Sequence, residues 1–324
     1  MMSSQILVTG GGGFIGSHLA TALVKQGHRV RVLDNFTSGR LSNLAAISTE
    51  IELIEADIRD CERVADATAG CEVVFHQAAL ASVPQSIADP LANNDVNVTG
   101  TLNVLLAARD QGARRVIFAS SSAVYGPTGN DSPTREDRPA TPISPYATAK
   151  LATEGYARNF HDAYGLETVG LRYFNVFGPR QDPNSQYAAA IPNLVMALLR
   201  GEPPVIFGDG EQSRDFVYVA NVVRANLLAM RSPDAPGNVY NIACGQRITL
   251  NRLVRELCTL LATDIKPAYG APRPGDIKHS SADIHRAHAQ LGYSPLVTLT
   301  DGLKHTIEHF RHSELPTVKA LAHA

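Results

Sequence analysis

Ile6-Leu7-Val8-Thr9-Gly10-Gly11-Gly12-Gly13-Phe14-Ile15-Gly16 is the stretch that decides the fold. A short apolar run, the length of a buried strand, breaks into glycines, and apolar residues then recur at helical spacing from Phe14 to Gln26. Gly10, Gly13 and Gly16 follow a Gly-x-x-Gly-x-x-Gly pattern. Such a turn lets the backbone come close to a pyrophosphate, and the N-terminus of the helix offers it N–H donors and a positive dipole end. Taken alone the pattern also fits a flexible loop; the strand before it and the helix after it favour the dinucleotide reading. A second strand, Val30-Arg31-Val32-Leu33, ends at Asp34, 24 positions after Gly10. A carboxylate there accepts hydrogen bonds from an adenosine ribose and repels a 2′-phosphate, which favours NAD over NADP. The alternative for Asp34 is a carboxylate that caps a turn. Asp57, at the end of the third strand, fits an adenine contact and a turn role equally well.

The alternation continues outward. Glu52-Leu53-Ile54, Val73-Val74-Phe75, Arg115-Val116-Ile117-Phe118 and Thr168-Val169-Gly170-Leu171 read as further strands, and Val96 to Gln111 and Tyr146 to Tyr164 as helices. Strands this apolar are covered on both faces, so residues 1–178 are expected to form an α/β, doubly wound parallel sheet that binds the dinucleotide. Beyond Pro179, proline and glycine become denser, and Ile191 to Arg200, Arg214 to Val219, Val239 to Ala243 and Leu250 to Leu261 are short elements separated by turns. A smaller substrate-binding lobe is expected over 179–312, with a return to the sheet near 219–243. Residues 313–324 lack a cap or a strong pattern and are expected to be a flexible tail.

Composition narrows the partners. The 324 residues carry 29 Lys+Arg against 31 Asp+Glu, a formal net charge of -2, with no basic block. Nucleic acid and an anionic membrane surface both reward a concentrated basic patch, so neither is expected. No apolar run approaches a membrane span, and Met1 to Gln5 lead into the first strand without a secretory leader, so a cytoplasmic protein is expected. Cys61, Cys71, Cys244 and Cys258 lack Cys-x-x-Cys spacing and read as free thiols. His305, His309 and His312 cluster on one helix face without a supporting carboxylate or cysteine set, so a solvated face is expected and no metal.

Tyr146 and Lys150, spaced Tyr-x-x-x-Lys, lie on one face of their helix. An ammonium beside a phenol favours the phenolate and is expected to lower the tyrosine pKa toward the working range of a general acid or base. One strand earlier, Ser120-Ser121-Ser122-Ala123-Val124-Tyr125-Gly126 puts hydroxyls at the carboxyl end of a parallel strand, where ligands bind in such sheets. Serines in that place are also ordinary turn formers. With Tyr146 and Lys150 nearby the ligand reading gains.

At this point the sequence resembles the extended short-chain dehydrogenase/reductase family over nearly its whole length. The matching segments are Thr9 to Gly16, Asp34-Asn35, His76-Gln77-Ala78-Ala79, Asn97 to Thr101, Ser120 to Gly126, Ser144 to Lys150, Arg172 to Arg180, Arg214 to Val217 and Arg273-Pro274-Gly275-Asp276. More narrowly it is similar to UDP-hexose 4-epimerases that accept N-acetylhexosamines, on Gln181-Asp182-Pro183-Asn184 and Tyr187 to Pro192. The resemblance implies a Rossmann-type fold, bound NAD, a UDP-sugar substrate and a homodimer through the helices holding Val96 to Gln111 and Tyr146 to Tyr164. It implies Tyr146 as the catalytic base, Lys150 as the residue that tunes it, and Ser121 as the hydroxyl on the sugar 4-oxygen. Cofactor contacts are implied for Gly10, Gly13, Phe14, Ile15, Gly16, Asp34, Asn35, Asp57, Ile58, Gln77, Ala78, Ala79, Asn97 and Tyr173, besides Tyr146 and Lys150. Substrate contacts are implied for Ser82, Ser121, Ser122, Tyr146, Asn175, Gln181, Ala189, Val205, Ile206, Phe207, Arg214, Arg273, Asp276 and Ser280. Arginines suit a diphosphate because guanidinium forks bind its oxygens bidentately.

Family members restricted to unacetylated sugars commonly carry a bulky tyrosine where Ser280 stands, so this pocket is expected to admit a 2-N-acetyl group. One departure is Gln77, at a position usually apolar in the family. A 4,6-dehydratase typically carries Thr-Asp-Glu where this chain has Ser121, Ser122 and Ala123, and a glucuronate decarboxylase a glutamate near Ala123, so neither is expected. UDP-glucuronate 4-epimerase stays open, as does a non-catalytic NAD-binding sensor, which Tyr146 and Lys150 argue against.

Overall fold

The computed structural model describes residues 4–127, 132–182, 190–272 and 277–313. In chain order the first half runs β1 (Gln5–Thr9), α1 (Phe14–Lys25), β2 (Arg29–Asp34), β3 (Ile51–Glu55), α2 (Cys61–Thr68) and β4 (Val73–His76). It goes on through α3 (Val83–Ala88), α4 (Pro90–Asn94), α5 (Gly100–Asp110), β5 (Arg115–Ser121), α6 (Pro145–Tyr164) and β6 (Glu167–Tyr173). The second half adds β7 (Asn175–Phe177), α7 (Ala190–Leu199), β8 (Val205–Phe207), β9 (Ser213–Arg214), β10 (Phe216–Tyr218) and α8 (Val219–Arg231). It closes with β11 (Asn238–Ile242), β12 (Ile248–Thr249), α9 (Leu250–Leu261), β13 (Ala268–Gly270), α10 (His285–Leu291) and α11 (Leu299–Ser313).

Seven strands pair in the order β11-β6-β5-β4-β1-β2-β3, all parallel. The strand residues alternate between two cores: Ile6, Val8, Val32 and Phe75 face the core shared with α1 and α8, and Leu7, Leu33, Val74 and Val116 face the one shared with α2 and α5. Each such side chain contributes about 1.5–3 kcal/mol by leaving water, which is why these runs are strands covered on both sides. The order reverses at β1, with β2 and β3 added on one side and β4, β5 and β6 on the other. The crevice beyond the carboxyl ends of β1 and β4 is therefore where a doubly wound sheet takes its ligand. Val217, Val222, Ala229, Tyr240, Ile242, Ala287 and Leu291 share the first core, so α8, β11 and α10 pack with the large sheet. A separate core of Phe177, Ile191, Val195, Ile206, Leu253 and Ile307 joins α7, β8, α9 and α11.

One helix starts earlier than its periodicity predicts. Asp89 accepts the Ala92 N–H at 2.9 Å and Pro90 fills the first helical position, so α4 begins at Pro90, and a π-turn over Asp95–Thr99 joins it to α5. Leu91-Ala92-Asn93-Asn94 carries no apolar stripe, and buried Asn93 and Asn97 break the pattern. Among the described residues no helix is long and apolar enough to cross a membrane.

Candidate active site

The glycine turn is built from backbone. Gly10 sits at φ +66, and a Cβ on it would lie 2.6 Å from the Ala78 nitrogen; a Cβ on Gly16 would lie 2.1 Å from the Gly10 oxygen. Only glycine lets β1, α1 and the start of the β4 loop approach this closely. Asp34 is buried and both its oxygens are in use: Oδ2 accepts the Gly12 N–H and Oδ1 the Phe36 N–H, each at 2.8 Å. It ties the β2 end to the glycine turn, and each oxygen keeps a lone pair for a ribose hydroxyl. Asn35 donates to Asp57 at 2.8 Å, and the Arg59 guanidinium holds the Asp57 carboxyl well below the usual carboxylate range. Ile58 is buried against Gly100. The cradle that a Cβ would fill, with a carboxylate at its ribose end, fits a dinucleotide.

The wall beside it is polar but satisfied. Gln77, at the departure from the family pattern, donates to the Tyr173 hydroxyl at 3.2 Å and to Asn226 at 3.3 Å. Burial pushes the Tyr173 phenol up to about 12. Asn97 exchanges hydrogen bonds with Leu80 at 2.9 and 3.0 Å and donates to Asn93 at 2.7 Å, so its amide braces the loop that follows Ala78 and Ala79. Beneath them the His76 ring lies between the Thr9 and Thr101 hydroxyls, at 2.7 and 2.9 Å. Thr101 gives its own proton to the Asn97 carbonyl, so His76 donates from Nε2 and is neutral, with burial pulling it down to about 3.

Ser144-Pro145-Tyr146 is a helix start. The Ser144 side chain accepts the Ala147 N–H at 3.2 Å and Pro145 occupies the first turn, so Tyr146 enters α6 at its mouth. The Tyr146 N–H donates to buried Ser86 of α3 at 3.1 Å. Its phenol faces the Ser121 side chain, whose hydroxyl favours the phenolate. Lys150 donates to the Ala119 carbonyl at 2.7 Å, with Nζ 6.0 Å from the Tyr146 ring centre. The expected lowering of the Tyr146 pKa by its lysine does not hold: burial pushes the phenol up, and what opposes burial is the Ser121 hydroxyl. The ammonium is drawn to the Ala119 carbonyl rather than to the phenol. Burial brings Lys150 itself down to about 8, against the pull of Glu154.

Next to this trio, Ser122 and Ser144 line a cavity of about 350 Å³. Ser122, Asn175, Arg214 and Ser280 line it as the sequence reading expects, and Val83, Ile87, Ala123, Thr134, Ile143, Phe174 and Ile277 line it too. Val83 and Ile87 come from a short helix and Thr134, Ile143 and Ile277 from loops, and no motif marks these five. The Ser280 N–H donates to the Ser213 carbonyl at 3.0 Å, which sets Ser280 beside Arg214. Arg214 reaches the Ser213 and Lys278 carbonyls at 2.9 and 3.2 Å. Ser82 lies apart as the N-cap of α3, accepting the Gln85 N–H at 3.2 Å. Val205 and Phe207 face outward while Ile206 is buried in the second core. Gln181 donates to the Val176 carbonyl at 3.3 Å, and its buried Oε1 has no partner among the described residues. Ala189, Arg273 and Asp276 lie outside the described residues.

A profile of the NAD-dependent epimerase/dehydratase family matches residues 6–243. The chain belongs to that family. It is 40% identical over 312 residues to the UDP-glucose 4-epimerase of Mycolicibacterium smegmatis, covering 95% of this chain and 99% of that one. Among solved structures it is similar to the UDP-N-acetylglucosamine 4-epimerase of Methanobrevibacter ruminantium in complex with UDP-N-acetylmuramic acid, at 43% identity and TM-score 0.92, covering 96% and 99% of the two chains. It is also similar to the UDP-glucose 4-epimerase of Thermotoga maritima with UDP-glucose, at 42% identity and TM-score 0.90, covering 95% and 98%. The glycine cradle and the Tyr146–Ser121–Lys150 group of this family member both fall within the matched span.

Proposed function

We propose that this chain interconverts UDP-hexoses at C4, with UDP-N-acetylglucosamine and UDP-N-acetylgalactosamine as the preferred pair and UDP-glucose and UDP-galactose also accepted. The observation that carries the reading is the Tyr146 phenol facing the Ser121 side chain, with Lys150 Nζ 6.0 Å from its ring centre and the neighbouring Ser122 and Ser144 lining the cavity. NAD, when bound, supplies the acceptor and donor for the C4 hydride. Gly10 to Gly16 hold its pyrophosphate, and Asp34 and Asn35 its adenosine ribose. Tyr146 takes the 4-hydroxyl proton and later returns it, Ser121 orients the 4-oxygen, and Lys150 supplies positive charge as the phenol ionises. Asn175 and Arg214 hold the diphosphate while the hexose turns over, so binding energy is used to retain a free-swinging ring. The lobe built on the second core carries the uridine end, along Val205 to Phe207.

Ser280 supports the acetylated substrate: a small side chain in the wall leaves volume that a large one would fill. Among the described lining residues there is no carboxylate, which disfavours the elimination of water that a dehydratase performs. We also propose a homodimer through α5 and α6, on exposed Leu106, Tyr156 and Tyr164 with neighbouring Leu91 of α4.

The test is to incubate the protein separately with UDP-N-acetylglucosamine, UDP-glucose and UDP-glucuronate and follow product stereochemistry by NMR, with Tyr146→Phe as control. Conversion of the acetylated sugar, lost in the control, is expected. Conversion of UDP-glucuronate alone overturns the substrate, and NAD binding without any conversion overturns the enzyme.

A further inference from the structure

Tyr146, Lys150 and Glu154 stand four residues apart, one above the other on a single face of α6. All three face the end of β5: Lys150 donates to the Ala119 carbonyl at 2.7 Å, Glu154 Oε1 accepts the Ser120 hydroxyl at 2.5 Å, and the Tyr146 phenol lies toward the Ser121 side chain. Glu154 is also gripped from β6. Arg172 donates from Nε to Oε1 at 2.8 Å and from Nη2 to Oε2 at 2.6 Å, with the two side chains only 6% and 8% exposed. The free edge of the guanidinium reaches the Tyr125 hydroxyl at 2.8 Å, and Tyr125 in turn donates to Asn241 of β11 at 2.6 Å. One buried pair thus joins β5, α6, β6, β11 and the turn that follows Ser121.

A buried ion pair is weak support for stability, because apolar residues of the same volume do as well once desolvation is counted. What it does supply is direction: a planar fork and a carboxylate meet in one geometry. We propose that Glu154, clamped by Arg172, is a positioning residue that sets the register of α6 against β5, so that Tyr146 meets Ser121 and Lys150 stays alongside it. The proposal rests on reading Tyr146 and Lys150 as the reacting pair. A shift of about 1 Å along the helix is enough to cost about a hundred-fold in rate.

Glu154 has a second effect through charge. The charged or titratable groups around it and Lys150 are Tyr146 on α6 itself, Arg172 from β6, His76 from β4, and Tyr125 and Glu136 from the segments after β5. His76 is neutral, so the Glu154 carboxylate is the anion that favours the Lys150 ammonium, and its removal makes that ammonium easier to deprotonate.

The test measures kcat, KM and the pH dependence of kcat for Glu154→Gln and Ser120→Ala, with Tyr146→Phe alongside. In Glu154→Gln, kcat is expected to fall about a hundred-fold with KM little changed, and the alkaline limb to move to lower pH. Ser120→Ala removes only the strand end of the clamp and keeps the ion pair; kcat is expected to fall about ten-fold, with the alkaline limb unmoved. A purely structural role would lower the yield of folded protein and leave both kcat and the pH profile as they are. Wild-type kcat in either variant, or an unshifted limb in Glu154→Gln, overturns the proposal, and Ser120→Ala decides alone if Glu154→Gln does not fold. Activity surviving in Tyr146→Phe instead overturns the reading of the reacting pair.

Discussion

Gly16 is a residue at which one methyl group decides binding. A Cβ there would meet the Gly10 oxygen at 2.1 Å, with backbone on both sides, so the turn has to open. Gly16→Ala is expected to lose most of its NAD affinity while the substrate cavity is untouched, read by titrating NAD against intrinsic fluorescence. Two histidines make a pH prediction. Burial brings His76 down to about 3 and His18 down to about 4, the latter despite its Nε2–H bond to the Pro179 carbonyl at 2.9 Å. Below pH 6.5 the unfolded chain takes up protons that these folded rings refuse, so their contribution is fully present above 6.5 and is lost as pH falls toward 4 and then 3. The melting temperature is expected to drop over that window, and less steeply in His18→Asn. Tyr146 and Lys150 stand out in the sequence by their spacing together with their place after the dinucleotide-binding half. The direction of the Tyr146 pKa does not, because burial is a property of the closed fold and outweighs the neighbouring hydroxyl.

The elements show what a pattern carries and where it ends. α1 and α9 fall where the periodicity predicts, because each has one apolar face and clear ends. The helix holding Asn97 does not, because its inward residues are asparagines whose partners are backbone and other asparagines. Likewise Arg172 opens the Arg172 to Arg180 segment, but nothing in that segment marks its partner Glu154, 18 positions away on another element. At this scale the ion pair makes its own prediction. Arg172→Met leaves Glu154 buried without its cation and is expected to cost about 3–5 kcal/mol, whereas Glu154→Leu with Arg172→Met together is expected to unfold near the wild-type midpoint. Urea denaturation of the three proteins checks it; a double variant as weak as the single one rejects the argument.

For the whole molecule, the helices that carry the reacting residues also carry an exposed apolar face. Leu91 is 77% exposed, Tyr164 56% and Tyr156 39%. Arg109 lies over the Tyr164 ring at 4.9 Å, which flattens the face without hiding it. With one chain at 34.7 kDa, light scattering is expected to give twice that mass, and Leu91→Asp with Tyr156→Asp to return it toward one chain. A wild-type mass of one chain rejects the dimer.

Neighbours along the chain are enough to specify the strand and helix periods, the glycine turn after β1, the carboxylate at the end of β2, and the Tyr146–Lys150 spacing. These follow from backbone geometry over a few residues, where each residue type has only a few ways to behave. The folded chain is what sets Tyr146 facing Ser121, places Glu154 in the grip of Arg172, and lines one cavity with Ile143, Ile277 and Ser280. Those contacts join distant segments whose residues carry no period or motif, and they exist because the sheet buries its two faces and brings the strand ends together at one edge.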